Sequence, residues 1–351
     1  MKILITGATG FIGGHLAHYL AVRGYHVRAL VRRDSPKLAA DGIELIRGDL
    51  ADRDSVRAAV SGMEAVCHLA AARDVWGADE LDYRQVNVEG TLHLLNAATE
   101  EGVRRFVYCS SVGVARHPGN LDADETLPFC PPTSQVFYHR TKAQAERMVL
   151  EYGRTGRIPA MAVRPVITYG PEDKGGMVTR LITMLAQGQF IPVGNGRNHV
   201  DLAYVDDLVA GMHQALVWGT VGQTYILSGT TPIQVRALID KICTLLDKPA
   251  PRFYIPALIA RAAGWGMETA YQLGGRLGLD FAKGQPLITR DKVATLAVDR
   301  GFSHARASRE LGYHPQVNYD QGLQRTLNWL QETGLSARQN GNYRVSDSEK
   351  E

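Results

Sequence analysis

Cysteine is scarce in this chain: four among 351 residues, Cys67, Cys109, Cys130 and Cys243. None stands in a C-x-x-C pair or beside a histidine cluster. That speaks against a metal site and a disulfide framework, and fits a reducing compartment. Excess charge is lacking too, since a formal net charge of +3 leaves no electrostatic footprint for nucleic acid. A membrane-spanning helix needs about 18 or more apolar residues in a row. The nearest candidate here, residues 257–279, is broken by Arg261, Glu268 and Arg276. The first apolar run starts so early that no room is left for a signal peptide, and a cytoplasmic location is expected. With 45% hydrophobic and 21% charged residues, the composition is that of a soluble globular chain. It is long enough for one or two α/β domains with ample core.

Glycine, by contrast, is concentrated where it carries information. Ile3, Leu4 and Ile5 form a short apolar run, Gly7, Gly10 and Gly13 follow at once, and Leu16, Ala17, Tyr19 and Leu20 recur with helical period. A strand, a glycine turn and a helix in that order form a dinucleotide-site context. A pyrophosphate must lie against bare backbone N–H groups at a helix N-terminus, and the last glycine lets helix and strand pack closely. The spacing is G-x-x-G-x-x-G rather than G-x-G-x-x-G, and a lone triplet fits a plain strand-turn-helix equally well.

Alternating apolar runs and helical patterns in the first half predict a parallel sheet covered on both faces. Strands are expected at His26–Val31, Glu44–Arg47, 65–69, 105–110 and 160–163, with helices at 55–60, 92–100 and 143–152. Beyond Pro165, helical segments at 177–187, 207–218 and 234–247 alternate with turn clusters. Thr224–Leu227 returns as an edge strand, and the polar stretch 336–351 is expected to be disordered.

Ser111, Tyr138 and Lys142 form the candidate catalytic group. Tyr138 and Lys142 are four residues apart, so a helix presents both on one face. A free phenol, with a pKa of about 10, is a poor acid-base group at neutral pH. A nearby ammonium favours the phenolate and brings it toward the working range. A serine at a neighbouring strand end can hold the substrate oxygen in line.

These residues lie within a longer series: Gly48-Asp49-Leu50, His68-Leu69-Ala70-Ala71, Asn87-Val88-Glu89-Gly90-Thr91, Ser110-Ser111, Arg164-Pro165, Tyr169-Gly170-Pro171, Tyr204-Val205-Asp206-Asp207 and Arg309-Glu310-Leu311-Gly312-Tyr313-His314-Pro315. In content and order the series resembles the extended short-chain dehydrogenase/reductases, over residues 1 to about 333. The resemblance implies a doubly wound α/β (Rossmann) sheet over 1–165 and about 197–227. It also implies a smaller substrate-binding domain over about 166–196 and 228–333. Tyr138 would transfer the proton, Lys142 hold the nicotinamide ribose and Ser111 orient the carbonyl or hydroxyl. Asp49 would read the adenine and Asn87 steady the cofactor. Gly7, Thr9, Gly10, Phe11, Ile12, Gly13, Leu50, Leu69, Ala70, Ala71, Ser110 and Pro165 would line the dinucleotide. A homodimer follows only by analogy. Four residues also have plain structural readings: Asn87 as a helix cap, His68 as a packed strand residue, Ser110 as a shell hydroxyl, and Arg164 as a loop anchor.

Cofactor choice turns on the end of the second strand, Ala29-Leu30-Val31-Arg32-Arg33. Val31 stands where an acidic residue would accept from a ribose 2′-OH, and it offers no acceptor. Arg32 follows, with Arg33 and Lys37 near it, and an arginine fork suits a 2′-phosphate. NADP(H) is therefore expected, with NAD(H) possible through Asp34. On the substrate side, Val200-Asp201-Leu202 lacks the phosphate-gripping arginine common in nucleotide-sugar members. The run 287–292 likewise lacks the customary Arg-Pro-Gly-Asp. Residues 256–279 supply Leu258, Ile259, Trp265, Met267, Tyr271 and Leu273 instead, and Pro286-Leu287-Ile288-Thr289-Arg290 follows. These features resemble the 3β-hydroxysteroid dehydrogenase and dihydroflavonol reductase-like branch and bacterial alkyl-ketoacid reductases. They imply a reductase or dehydrogenase for a hydrophobic hydroxy or keto substrate, steroid-like or long-chain β-keto. The alternative is a nucleotide-sugar epimerase or dehydratase on retained NAD.

Overall fold

The computed structural model describes residues 1–73, 79–132, 136–252, 254–276 and 298–334. The continuous apolar runs become strands buried on both faces, as parallel sheets require. In chain order the strands are β1 (Lys2–Thr6), β2 (His26–Val31), β3 (Glu44–Arg47), β4 (Ala65–His68), β5 (Arg105–Cys109) and β6 (Ala160–Pro165). They continue with β7 (Ile167–Tyr169), β8 (His199–Val200), β9 (Leu202–Tyr204), β10 (Thr224–Leu227) and β11 (Ile233–Gln234). Seven of them form one sheet in the order β10-β6-β5-β4-β1-β2-β3, every pair parallel. Strand order reverses between β1 and β4. Ligands of such sheets bind in the crevice at that switch, outside the carboxyl ends of the strands.

Helices α1 (Phe11–Ala21), α2 (Pro36–Ala40), α3 (Arg53–Val60), α4 (Glu80–Arg84), α5 (Gly90–Glu100) and α6 (Phe137–Arg154) alternate with these strands. They are followed by α7 (Met177–Ala186), α8 (Val205–Trp218), α9 (Val235–Leu245) and α10 (Ala257–Arg276). Leu16 and Leu20 of α1 and Leu208 and Met212 of α8 pack on one face of the sheet. Val56, Leu94, Leu95 and Val149, from α3, α5 and α6, cover the other. A third cluster joins Tyr169, Leu181 and Ile182 of α7, Ile239 of α9, and Leu323 and Leu327 of the helix Tyr319–Glu332. Ala307, Leu311 and Tyr313 pack into the sheet core beside α8.

The strands stand within two residues of their expected ends, and Thr224–Leu227 is the edge strand beside β6. Helix α6 differs more. It starts at Phe137, ahead of the expected residue 143, because Tyr138, His139 and Arg140 belong to its first turn and carry no apolar period. The helix Tyr319–Glu332, with Leu323, Leu327 and Leu330 buried, follows an ordinary helical spacing that the sequence reading passed over.

Of the apolar side chains around α10, Leu258, Ile259, Trp265 and Leu273 are exposed, and Met267 and Tyr271 are half-buried. The motifs at 286–290 and 287–292 and the tail 336–351 lie outside the described residues. All four cysteines are buried free thiols. No described helix is long and apolar enough to cross a membrane.

Candidate active site

The first β–α turn is built so that only glycine fits. Gly7 has φ +77, a left-handed conformation that side chains oppose. A Cβ there would lie 2.6 Å from Ala70 N, at the end of β4, and one at Gly13 would lie 2.1 Å from Gly7 O. The first glycine therefore lets β1 and β4 close at the switch point, and the third lets α1 press onto the turn. Gly10 precedes helix α1 and gives it no side-chain cap, and its first turn has no acidic residue, so its N-terminal N–H groups and dipole remain open to an anion. This cradle fits a dinucleotide pyrophosphate. Around it Thr9 is exposed, Phe11 and Ile12 are half-buried, and Phe11 packs edge-on against His15.

At the adenine end, Leu50 is buried beneath Gly90, where a Cβ would lie 2.8 Å from the Leu50 Cβ. Asp49 is exposed and accepts from Ala51 N. Arg32 extends into solvent just beyond β2, with no hydrogen bond or ion pair to the described residues. Its neighbours are engaged: Asp34 holds Arg47 (Nε to Oδ1 2.8 Å), and Lys37 pairs with Glu172.

Tyr138, Lys142 and Glu146 recur every fourth residue along α6 and share one face. Tyr138 is half-buried. Lys142 is 1% exposed; its Nζ donates to Cys109 O at 2.6 Å and lies 4.1 Å from the Tyr108 ring centroid. Burial draws its ammonium down to about 8, against the opposing effect of Cys109 and Glu146. The Tyr108 phenol beneath it is pushed well above its ordinary value by burial and stays a neutral platform. Ser111 follows β5, half-buried, and its Oγ accepts from Gly113 N at 3.1 Å, which fixes its rotamer while leaving the hydroxyl hydrogen to donate.

Glu146 was not anticipated. It is fully buried and accepts from Arg164 Nε at 2.9 Å, Arg164 Nη2 at 2.8 Å, Thr224 Oγ1 at 3.1 Å and Ser110 Oγ at 2.5 Å. The Ser110 hydroxyl is thus committed to this network. Arg164 anchors α6 to β6 rather than holding a loop. The available signal was a glutamate on the inward face of α6 one turn after Lys142.

Asn87 lies in a π-helical turn, Gln85–Glu89, a local distortion common at functional sites. It caps no helix. Its Oδ1 accepts from Ala72 N at 2.7 Å, and its Nδ2 donates to Ala72 O and Thr141 Oγ1. It thereby ties the segment Leu69, Ala70, Ala71 to helix α6. His68 is fully buried in an ordered chain. Thr6 Oγ1 accepts from Ala70 N and so donates to His68 Nδ1 at 2.7 Å. Thr91 donates to Asn87 O and so accepts from His68 Nε2 at 2.9 Å. The ring is assigned by this network as the neutral Nε2–H tautomer. Burial drives its pKa down to about 3, so it organises the site and does not exchange protons at neutral pH. Pro165 closes β6, buried.

On the substrate side Val200 is buried, and Asp201 accepts from Gly229 N and Phe302 N. Burial lifts its carboxyl to about 7. This pair is a structural staple and offers nothing to a diphosphate. No group of three potential metal-ligating side chains occurs among the described residues.

A glycine cradle at the switch point of a parallel sheet, with a serine after β5 and a tyrosine and lysine on one face of α6, defines a nicotinamide-dependent oxidoreductase of the Rossmann type. The chain belongs to the NAD dependent epimerase/dehydratase family, whose model matches residues 3–227. It is 36% identical over 338 residues to a 2-alkyl-3-oxoalkanoate reductase of Stenotrophomonas maltophilia, covering 93% of this chain and 98% of that one. It is 33% identical over 339 residues to a 3 beta-hydroxysteroid dehydrogenase/Delta 5-->4-isomerase of Mycobacterium tuberculosis, covering 93% and 89%. Among solved structures it superposes on gox2253 with a TM-score of 0.80, 30% identity and coverage of 95% and 99%. The UDP-glucuronic acid 4-epimerase of Bacillus cereus in complex with NAD shares the fold, with a TM-score of 0.75, 22% identity and coverage of 95% and 99%.

Proposed function

We propose that this protein transfers a hydride between NADP(H) and a hydrophobic hydroxy or keto substrate, steroid-like or long-chain β-keto, in the cytoplasm. The observation that carries the reading is the shared inward face of Tyr138 and Lys142 beside Ser111. Relatives of 30–36% identity named as ketoreductases and hydroxysteroid dehydrogenases support the same reaction class. When bound, the nicotinamide supplies the hydride to the carbonyl carbon and is itself oxidised. Tyr138 gives its phenolic proton to the oxygen as the C=O pair collapses onto it. The Lys142 ammonium would stabilise the phenolate left behind and hold the nicotinamide ribose. Ser111 donates to the same oxygen and holds it in line. Gly7, Gly10 and Gly13 keep the pyrophosphate on α1.

NADP(H) is favoured because Arg32 lies exposed at the end of β2 with no partner among the described residues, while Asp34 is held by Arg47. Arg32→Ala is expected to weaken NADPH by about 1.5–3 kcal/mol of charge-assisted hydrogen bonding and to leave NADH nearly unchanged. Fluorescence titration of both cofactors checks it, and equal losses would contradict the assignment.

The substrate class is tested by NADPH oxidation across ketones of rising apolar area, with parallel titration of UDP and dTDP. Each buried methylene should add about 0.8 kcal/mol of affinity. Micromolar binding of either nucleotide, with no ketone reduced, would instead favour the redox-neutral epimerase.

A further inference from the structure

Lys142 carries its charge in a place that offers little to hold it. The side chain is 1% exposed, so bulk water does not solvate it. Glu146, one turn on along α6, has both oxygens taken by Arg164, Thr224 and Ser110 and attracts Lys142 only through space. An ammonium has three N–H donors. One of them goes to Cys109 O at 2.6 Å. The Nζ also stands 4.1 Å from the centroid of the Tyr108 ring, within the reach at which an ammonium is drawn to an aromatic face. The carbonyl and the ring take up two donor directions and leave the third.

Tyr108 serves through its ring rather than its hydroxyl. It is fully buried in β5, and its hydroxyl oxygen has no hydrogen-bond partner among the described residues. A buried hydroxyl left unpaired costs stability, so the ring is what this position uses. Beside it stands His68 on β4, with ring centroids 5.5 Å apart. Burial draws that imidazole down to about 3, so no second cation competes for the ring. Of the other groups near Lys142, the Cys109 thiol on β5 is pushed up to about 11 by burial and stays neutral. Glu146 is matched by Arg164 of β6 in a direct ion pair, and Tyr138, one turn back on α6, is the proton-transfer group itself.

Resting on the hydride-transfer reading above, we propose that Tyr108 is a positioning residue for the reaction: the face of its ring keeps the buried Lys142 side chain charged and leaves its third N–H for Tyr138 and the ribose. An aromatic face suits this task better than a carboxylate. A carboxylate in contact would hold the ammonium too, but its negative charge would oppose the phenolate that Tyr138 must form. The ring attracts the cation and adds no net charge. In the oxidation direction Tyr138 must arrive deprotonated and Lys142 protonated. Losing the ring face disfavours the charged lysine, so its titration falls further below the ordinary lysine value than the burial already takes it, to about 8. The phenolate then loses its support, and Tyr138 titrates higher. The working pH window narrows from both sides.

The test uses the full chain with NADP⁺ and a hydrophobic secondary alcohol, followed as kcat/KM against pH. The alkaline limb reports loss of the Lys142 proton, and the acid limb reports ionisation of Tyr138. In Tyr108→Leu the alkaline limb should fall by about one pH unit and the acid limb should rise, while Tyr108→Phe keeps the ring and both limbs. A packing defect would lower the rate without narrowing the window. Lys142 is also read without turnover, by NMR of chains labelled with carbon-13 at lysine Cε and assigned with Lys142→Arg. Its midpoint should fall in Tyr108→Leu, and again in Tyr108→Phe carrying three ring fluorines, which drain the negative face and keep the shape. The fluorinated form decides the matter even where Tyr108→Leu fails to fold. An unmoved Lys142 midpoint in that form would overturn the proposal, as would Tyr108→Phe moving it as far as Tyr108→Leu. A midpoint that follows the ring in a chain that oxidises no alcohol would sustain the role of Tyr108 and overturn the hydride-transfer reading alone.

Discussion

Tyr138→Phe is expected to lower kcat by about 10²–10⁴-fold, the range of a positioned acid-base group, with the Kd for NADPH almost unchanged. The substitution removes one hydroxyl from the half-buried face of α6. It leaves intact the Lys142–Cys109 hydrogen bond, the glycine cradle and the Asn87 ties to Ala72 and Thr141. Single-turnover absorbance at 340 nm reads the chemical step, and fluorescence titration reads the cofactor. A loss confined to the chemical step is the predicted pattern. Near-full turnover would mean that another group supplies the proton.

Glu146→Ala is expected to destabilise the fold by about 3–5 kcal/mol, the cost of removing one partner from a buried ion pair. Arg164, 3% exposed, would then keep its charge inside the protein with no counter-ion. Ser110 and Thr224 would lose their acceptor as well. Glu146→Gln keeps one oxygen acceptor, replaces the other with an NH2 donor and removes the charge, and should still lose much of that stability. Urea unfolding followed by circular dichroism measures both, and an unchanged midpoint for Glu146→Ala would show that Arg164 finds water or another partner. Because Glu146 also helps hold Lys142 in its charged form, the variant that folds should be the slower enzyme.

The parts of this site readable in sequence were those dictated by local chemistry. Glycines must follow β1 because Gly7 adopts a left-handed turn and Gly13 meets a carbonyl. Tyr138 and Lys142 must share a face because they are one helical turn apart. The buried strands announced themselves as apolar runs, and the alternation of strand and helix announced a parallel sheet covered on both faces.

What could not be read depends on residues far apart in the chain. Glu146 and Thr224, and Lys37 and Glu172, meet only once the sheet is assembled. Ser110 and Ser111 are adjacent and chemically identical. Only the fold turns one toward Glu146 and leaves the other at the cleft. Leu258, Ile259, Trp265 and Leu273 of α10 carried a core-like pattern yet lie exposed, because composition records hydrophobicity and not what stands opposite it.

The central claim is net hydride transfer to a carbonyl, and deuterium tracing tests it most directly. The protein is incubated with NADPH deuterated at the transferable position of C4 and a 3-oxo substrate, and the product is analysed by mass spectrometry and NMR. The account predicts one deuterium on the carbinol carbon for each NADPH oxidised. Turnover with no net oxidation of added NADPH, and no deuterium in the product, would contradict it.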